Sequence, residues 1–594
     1  MLETAATSNA EAVKINPITA EIIRHSLLSI PNQIDVNITR TAYSPLIYEY
    51  KDYAVGIVDH EGRLISQAKG GIPLFVANAL GVAVRDGLLV HGRDGIRPGD
   101  VIFSNHAASL GQHLNNVVMY TPIFVGKERG ELFGFMAVLV HWLDIGGRVV
   151  GSCATSGSTD IFQEGVQFRS VKLWSRGEPV RDMFRMIEVN TRFPRMLMGD
   201  VESQLAGCLM GRDLILGVIE KYGLETVRGA IEQMWDRSEA AARQAIRALP
   251  DGVYHASSFL DDDSIEIGKN ITIDAVVRVA DDEITVDFSG TSDQVKGPLN
   301  SGRDGGAVTA ARIAFKYIVA PDETANDGSF RPLHVVIPDG KFISAVGTAP
   351  MGGYSTPMPS VVDTVVKAMV PAAPQHVAAG HHGNFGINSY SGIDPRTGEL
   401  FQCMGTLHGG WGASLDHDGP GPYKTMSHGD TLDIPVESQE ALYPLRIEYQ
   451  LIRTDSGGAG RFRGGCGVEK LTTLLAPCTS QIFFDRTGCP PWGILGGSDG
   501  SIPSLTVERK DAPPTKVLKG FVQLSVGDQV RVRSGGGGGY GNPLDRDPAR
   551  VARDVRLGYV SLESARELYG VVIDAVGEPV ADATDLLRRQ RATA

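Results

Sequence analysis

The stretch 98–166 limits the fold most. Two apolar runs of strand character, 117–124 and 132–140, are bridged by the polar turn GKERGE, a pattern that predicts a β-hairpin. Polar residues gather at its ends: His106 and His113 precede the first run, and His141 and Asp144 follow the second. Antiparallel pairing would bring His113 and His141 to the same end of a sheet. Neutral imidazoles projecting from neighbouring strand ends, with carboxylates nearby, are a common way to hold a divalent metal. Histidines satisfied by hydrogen bonds at the strand ends are the plainer alternative.

The rest of the chain arranges itself around that hairpin. Residues 1–14 read as a disordered tail. A helical apolar pattern follows Pro17 (Ile22, Ile23, Leu27, Leu28, Ile34), and Pro31 is expected to kink or interrupt it. YAVGIVD and RLISQ read as a hairpin turned at Gly62, and 74–95 as an amphipathic helix. Two or three helices over 199–250 are expected to cover a sheet, with Arg212 and Asp213 as a surface pair. Then GVYHASSFL, ITIDAVVRVA and EITVDFSG form a predicted meander that turns at Asp281 and Asp282, and 307–320 a helix.

The tract 347–430 holds His376, His381, His382, His408, His417 and His428, six of the 14 histidines, among many glycines. Some of them are expected to line a cleft. Short β-like runs follow to 545, with Asp485, Arg486 and the run Gly535 to Gly539 expected to be exposed or ligand-facing. Without a following helix and Lys, that run is a poor phosphate loop. Two short helices close the chain, the second capped by Ser561, with Arg550 and Asp554 a solvated pair on the first.

The predicted fold class is α+β: a large, multi-lobed, β-rich chain with helices covering mixed or antiparallel sheets. Its 594 residues exceed one compact core. The expected division is an α/β lobe over 15–250 carrying the candidate site, a β-rich, Gly- and His-rich lobe over 251–440, a β-rich lobe over 441–545 and a helical arm over 546–594. The 71 glycines imply many tight turns or close backbone approaches. A net charge of −13 argues against nucleic-acid binding. The six cysteines are widely spaced without a C-x-x-C pair, which favours reduced thiols in a cytoplasmic protein. No uninterrupted apolar segment approaches the ~20 residues that span a bilayer, and the N-terminus lacks a secretory pattern.

RTAYSP, KDYAVGIVDHEGRLISQ, PGDVIFSN, GQHLNN, HWLDIGG, IFQEG, DFSGTSDQVKGPLN, FRPL, DSGGAGRFRGGCG and GGGGGYGNP occur in that order over nearly the whole chain. Together they resemble the hydantoinase B/5-oxoprolinase family. The resemblance implies a catalytic subunit acting with a larger HyuA-type ATP-binding partner in a hetero-oligomer that opens cyclic amides such as hydantoins, lactams or 5-oxoproline. ATP and Mg would sit on the partner, and this chain has no Walker-type sequence. The alternatives are a subunit of a related ATP-dependent acetone or acetophenone carboxylase, and a non-catalytic assembly subunit.

In the family a metal is held by a His-Leu-Pro-Asp motif and the first His of His-His-x-Asp. Carried over residue by residue, His113 and His141 match and Asp52, from Lys51-Asp52-Tyr53, is a further candidate. Asn116 stands where the family usually has Asp, and Trp142 where it has the second His. The implied ligand set is Asp52, His113, Asn116 and His141 for Zn, Mn or Fe, and the implied catalytic set is His113, His141 and Asp144. Exchanging a carboxylate for an amide weakens the hold on a hard cation. Trp142 would suit an aromatic substrate, or serve as a buried structural side chain.

Overall fold

The computed structural model describes residues 15–127, 130–153 and 156–592; the tail expected over 1–14 lies outside the described residues, as do Glu128 and Arg129 of the central turn. The predicted hairpin forms the middle of a seven-stranded sheet. Its strands are β1 (Tyr53–Asp59), β2 (Leu64–Gln67), β3 (Val101–Ser104), β4 (Asn116–Val125), β5 (Glu131–His141), β6 (Val171–Ser175) and β7 (Glu178–Pro179). They lie in the order β2-β1-β5-β4-β3-β6-β7, each antiparallel to its neighbours.

Register places the site. Asn116 pairs with His141 across β4 and β5, and Tyr53 pairs with Val140 across β1 and β5. Asp52, one residue before β1, therefore lies beside His141, whose backbone N–H donates to the Asp52 carbonyl at 3.0 Å.

The two central strands are apolar over most of their length because both faces are covered. Gly211 of the helix Pro194–Tyr222 lies against Met136, while Gly87 of the helix Ala79–Gly95 lies against Tyr120, the partner of Ala137. Successive residues of a strand point to opposite faces, so these helices sandwich the sheet. The helix Leu224–Ile246 packs alongside, and Arg212 and Asp213 form the expected surface pair at 2.7 Å. The stretch Pro73–Gly95 is long and apolar enough to span a bilayer by length and composition, although Asn78, Arg85 and Asp86 interrupt its apolar run. Most of it is buried within the protein, as a core helix is, and Gly92 at φ 65° bends its end.

Pro31 does not interrupt its helix, which runs over Pro17–Thr41. A proline frees the carbonyl four residues earlier. Here that carbonyl, Leu27 O, accepts instead from the Ser66 hydroxyl of β2 at 2.8 Å.

The predicted meander is present as β8 (Gly252–Leu260), β9 (Ile271–Ala280) and β10 (Glu283–Asp287), turning at Asp281, and β11 (Leu333–Val336) adds a parallel edge. The helices Thr309–Val319 and Met358–Ala368 pack against each other, the second also against β8 and β9. Two further sheets follow, β13-β12-β16-β19 and β14-β15-β20-β17-β18, antiparallel at every pairing. Their strands are β12 (Ile387–Ile393), β13 (Leu400–Cys403), β14 (Leu445–Ile452), β15 (Val468–Leu474), β16 (Cys478–Phe483), β17 (Ser504–Arg509), β18 (Ala512–Lys516), β19 (Lys519–Leu524) and β20 (Gln529–Arg533).

The glycine run at 535–539 is not exposed. It threads the centre of a bundle of extended segments whose backbones hydrogen-bond in several directions. Gly537 N–H donates to Gly465 O, Gly538 N–H to Gly380 O and Gly539 N–H to Ser498 O. Consecutive residues thus bond to different neighbours around the axis, as an extended three-fold helix allows and a flat sheet does not. A Cβ on Gly537 would stand 1.9 Å from Trp411 O, so only glycine packs this closely. Asp485 and Arg486 are buried too: Lys519 pairs with Asp485 at 2.8 Å and Arg486 with Asp363 at 2.9 Å.

At the C-terminus, Ser561 caps Leu562–Glu567 as expected, preceded by Pro548–Arg556, and Ala581–Ala592 adds a third helix. The Arg550–Asp554 pair is not found. Asp554 is buried, 2.7 Å from Arg546, and Arg550 lies over the Phe462 ring. The arm's apolar residues Val551, Val560, Ala565 and Tyr569 cluster with Ala459 of the glycine bundle.

Candidate active site

His113 sits in the turn between the helical turn Ala107–Leu110, closed by Gly111 at φ 70°, and β4. Asn115 ties this turn to the end of β5: its side-chain N–H donates to Trp142 O at 2.7 Å, and its backbone carbonyl accepts from Trp142 N–H at 2.8 Å. The His113 and His141 rings consequently meet edge to face, centroids 4.9 Å apart, in one buried chamber. Asp52, Cys153, Tyr354 and His428 share it, with Leu74, Phe75, Phe385, Ile387 and Met404 as apolar walls. The chamber is small, about 20 Å³, and every one of these residues is buried.

Among the described residues, hydrogen bonds decide which nitrogens are free. Asn116 donates from its amide N to Gln112 Oε1 at 3.0 Å and to Tyr354 OH at 2.7 Å. Its Oδ1 is left to accept from His113 Nε2–H at 2.9 Å, so the lone pair of His113 lies on Nδ1. Nδ1 is buried and has no hydrogen-bond partner among the described residues. His141 Nδ1 stands 3.6 Å from Asp52 Oδ2, and its Nε2 is buried and unpartnered. In the third imidazole, His428, Nδ1 is engaged by the Thr425 and Ser427 hydroxyls at 2.7 and 3.0 Å, the ring stacks on Phe385 at 3.8 Å, and Nε2 has no partner.

Desolvation sets the charges. Burial lowers His113 to about 4, against the opposing bond to Asn116, and pushes His141 and His428 well below the ordinary histidine value. Burial raises Asp52 to about 7, with Lys424 acting in the other direction. Cys153 is pushed up to about 12 by burial, which removes it as a nucleophile near neutral pH. The chamber therefore offers three neutral imidazoles, each with a free nitrogen, and one carboxyl poised to titrate.

Of the residues that the sequence singles out, Asp52, His113, Asn116 and His141 converge. Asp144 does not line the chamber. Its buried carboxylate accepts from Gly151 N–H, the Ser152 hydroxyl, Arg192 N–H and the Arg192 guanidinium, which pins the loop after β5. Trp142 also points away, donating from its indole to Gln204 at 3.1 Å and stacking on Phe103. His106 bonds to Ser109. Within the histidine-rich tract, His376 and His417 are exposed, whereas His381 is buried with Nδ1 3.2 Å from Asp363. His428 and Tyr354 join the chamber with no local signal in the sequence that separates them from their neighbours.

Two free imidazole nitrogens at the hairpin end suit a divalent ion in type, and the ring of His113 is oriented through its other nitrogen. Asn116 Oδ1, however, is spent on His113, and Asp52 faces His141 Nδ1. Among the described residues no set of three His, Cys, Asp or Glu closes around an ion. His428 Nε2 is a third free nitrogen in the chamber, but as placed these donors do not converge on the three or four protein ligands that hold zinc.

The sheet with its buried imidazoles and the glycine bundle together make up a fold that is also found in other proteins. The hydantoinase B/oxoprolinase family model matches residues 16–543, and the chain belongs to that family. It is 31% identical to the putative B-type subunit of a D-/L-hydantoinase from Pseudomonas sp. (strain NS671), over 97% of this chain and 98% of that one. The crystal structure of the ATP-dependent caprolactamase from Pseudomonas jessenii is similar with a TM-score of 0.88 and 28% identity, covering 97% of this chain and 100% of that one. Acetone carboxylase in its nucleotide-free structure shares the fold, with a TM-score of 0.87 at 21% identity over 97% of this chain and 83% of that one.

Proposed function

We propose that this chain is the hydrolytic subunit of an ATP-dependent enzyme that opens cyclic amides, acting on an intermediate phosphorylated by a separate ATP-binding subunit. The observation that carries this reading is the pair of free nitrogens, His113 Nδ1 and His141 Nε2, facing one buried chamber with Asp52 behind His141. The names of the hydantoinase and caprolactamase relatives support the substrate class.

An amide carbonyl is a poor electrophile, and phosphorylating its oxygen makes its carbon a better one. A water held by the imidazoles loses a proton to a free ring nitrogen as its oxygen bonds to that carbon. The tetrahedral adduct collapses by breaking the ring C–N bond, and the nitrogen leaves as the amine with both protons of that water, relayed by the imidazoles. The acyl phosphate that remains is split by a second water to carboxylate and phosphate. Asp52 lies 3.6 Å from His141 Nδ1 and, when ionised, stabilises the imidazolium through its charge. Excluding water other than the reactant protects the activated intermediate.

A second reading, carboxylation of an enol phosphate from a ketone, is favoured by the aromatic walls Phe75, Tyr354 and Phe385 and by a donor set that, among the described residues, does not close around an ion. Product formation and ATP turnover by the assembled complex on a lactam and hydantoin panel, against a ketone plus bicarbonate panel, decide between them. The proposal expects ring-opened product from the first panel, lost in His113→Ala and His141→Ala while ATP hydrolysis continues. Normal product formation by both variants overturns it.

A further inference from the structure

One short stretch of chain lines the inner chamber on one side and a second cavity on the other. The helical turn Pro73–Val76 presents Leu74 and Phe75 to the chamber, and Pro73 and Val76 to a larger open cavity of about 430 Å³ on the other side. The segment 426–429 repeats the arrangement, with His428 facing in and Met426 and Gly429 facing out. One backbone bond, Leu74 N–H to Ser427 O at 3.0 Å, joins the two segments.

The outer cavity has the size and lining of a small-molecule site. Val76, Ile313, Tyr317, Phe330, Trp411 and Met426 supply apolar surface. Lys316 of the helix Thr309–Val319 is one of the lining residues, and its buried Nζ has no hydrogen-bond partner among the described residues, whereas the neighbouring Arg312 is already paired with Asp327 at 3.0 Å. An ammonium shielded from water and left unpaired is costly unless an anion reaches it. Its burial lowers its affinity for the proton to a pKa of about 8, partly offset by Glu323 and Asp322. Those two carboxylates are exposed, where water and salt screen them.

We propose that this outer cavity is a loading site for a small apolar molecule bearing an oxyanion, whose charge pairs with Lys316 Nζ, and that the Pro73–Val76 turn separates it from the imidazoles. A ring compound carrying a phosphoryl group fits this description. The inference rests on the inner chamber being the reaction site, but binding is measured without any reaction.

The test is calorimetric titration of the full chain with phenylphosphonate. The expected result is measurable binding that weakens about tenfold or more in Lys316→Met, as loss of one charge-assisted contact implies. Binding is expected to persist in Lys316→Arg and in His113→Ala. No binding to the unmodified chain, undiminished binding to Lys316→Met, or a loss in His113→Ala as large as in Lys316→Met overturns the proposal. If circular dichroism shows Lys316→Met unfolded, Thr324→Trp at the exposed rim takes its place: it is expected to weaken binding, and unchanged affinity overturns the site. Failure of the inner-chamber chemistry leaves these affinities intact, so the two readings fail separately.

Discussion

Asn116 accepts the Nε2–H of His113 at 2.9 Å, and this one contact fixes which nitrogen of His113 carries the lone pair facing the chamber. A carboxylate in the same place would do more. It would draw positive charge onto the imidazole and supply a second anionic oxygen beside Asp52. Asn116→Asp is therefore expected to raise the amount of divalent metal that purifies with the chain, measured by elemental analysis, and to raise the titration midpoint of His113 from about 4, measured by NMR. Metal content equal to that of the unmodified chain would count against the ligand geometry around His113.

Asp52 ties activity to pH. Its folded value of about 7 lies above the ordinary 3.8, so the folded protein holds a proton there that the unfolded chain releases. The stability cost therefore grows as pH rises from about 4 to about 7 and is fully present above that. His113 acts in the opposite direction: held neutral down to about 4, it withdraws stability as pH falls below the ordinary value of 6.5. Comparing variants at one pH isolates Asp52. Asp52→Asn is expected to be more stable than the parent at pH 8 and to lose that advantage near pH 4, by thermal melts at both. Product formation in the parent should fall as pH drops through about 7, and the Asn variant should lack that limb. A variant no more stable than the parent at pH 8 contradicts the raised pKa.

The site's first two residues are legible in the sequence because hairpin register is a local property. Once 117–124 and 132–140 pair, the side chains at their outer ends must meet, and His113 and His141 do. Asp52 comes from the family motif, and the register of β1 on β5 explains it. His428, Tyr354 and Phe385 join from more than 200 residues away, and no periodicity announces them. The glycine bundle is invisible in the sequence for a different reason: patterns of polarity follow side chains, and here the packing is backbone on backbone. Asp485, Arg486 and Asp554 have the look of surface charges because most charges are exposed, but each has a partner of opposite sign far along the chain.

Pro31 gives a prediction about that kind of distance. Its helix survives because Ser66, 39 residues beyond Leu27, serves the carbonyl that the proline leaves free. Ser66→Ala leaves Leu27 O buried and unpaired, which is expected to cost about 1–3 kcal/mol. Adding Pro31→Ala restores an in-helix N–H to that carbonyl, so the double variant should recover part of the loss. Urea denaturation of the four proteins measures the coupling, and strict additivity would show that the Ser66 hydroxyl does not perform this role.

Gly537 tests the bundle. A methyl group there would stand 1.9 Å from Trp411 O, and the obstacle is backbone held by its own hydrogen bonds, so it cannot turn aside as a side chain would. Gly537→Ala is expected to cost about 3 kcal/mol or more. Gly217, exposed on the helix Pro194–Tyr222 with nothing within 4 Å of where its methyl group would stand, is the control. There the same change should stabilise by about 0.5–1 kcal/mol, because alanine loses less freedom than glycine on entering a helix. Denaturation midpoints for the two variants side by side decide the matter: equal stability would mean that the glycine run is not packed against neighbouring backbone.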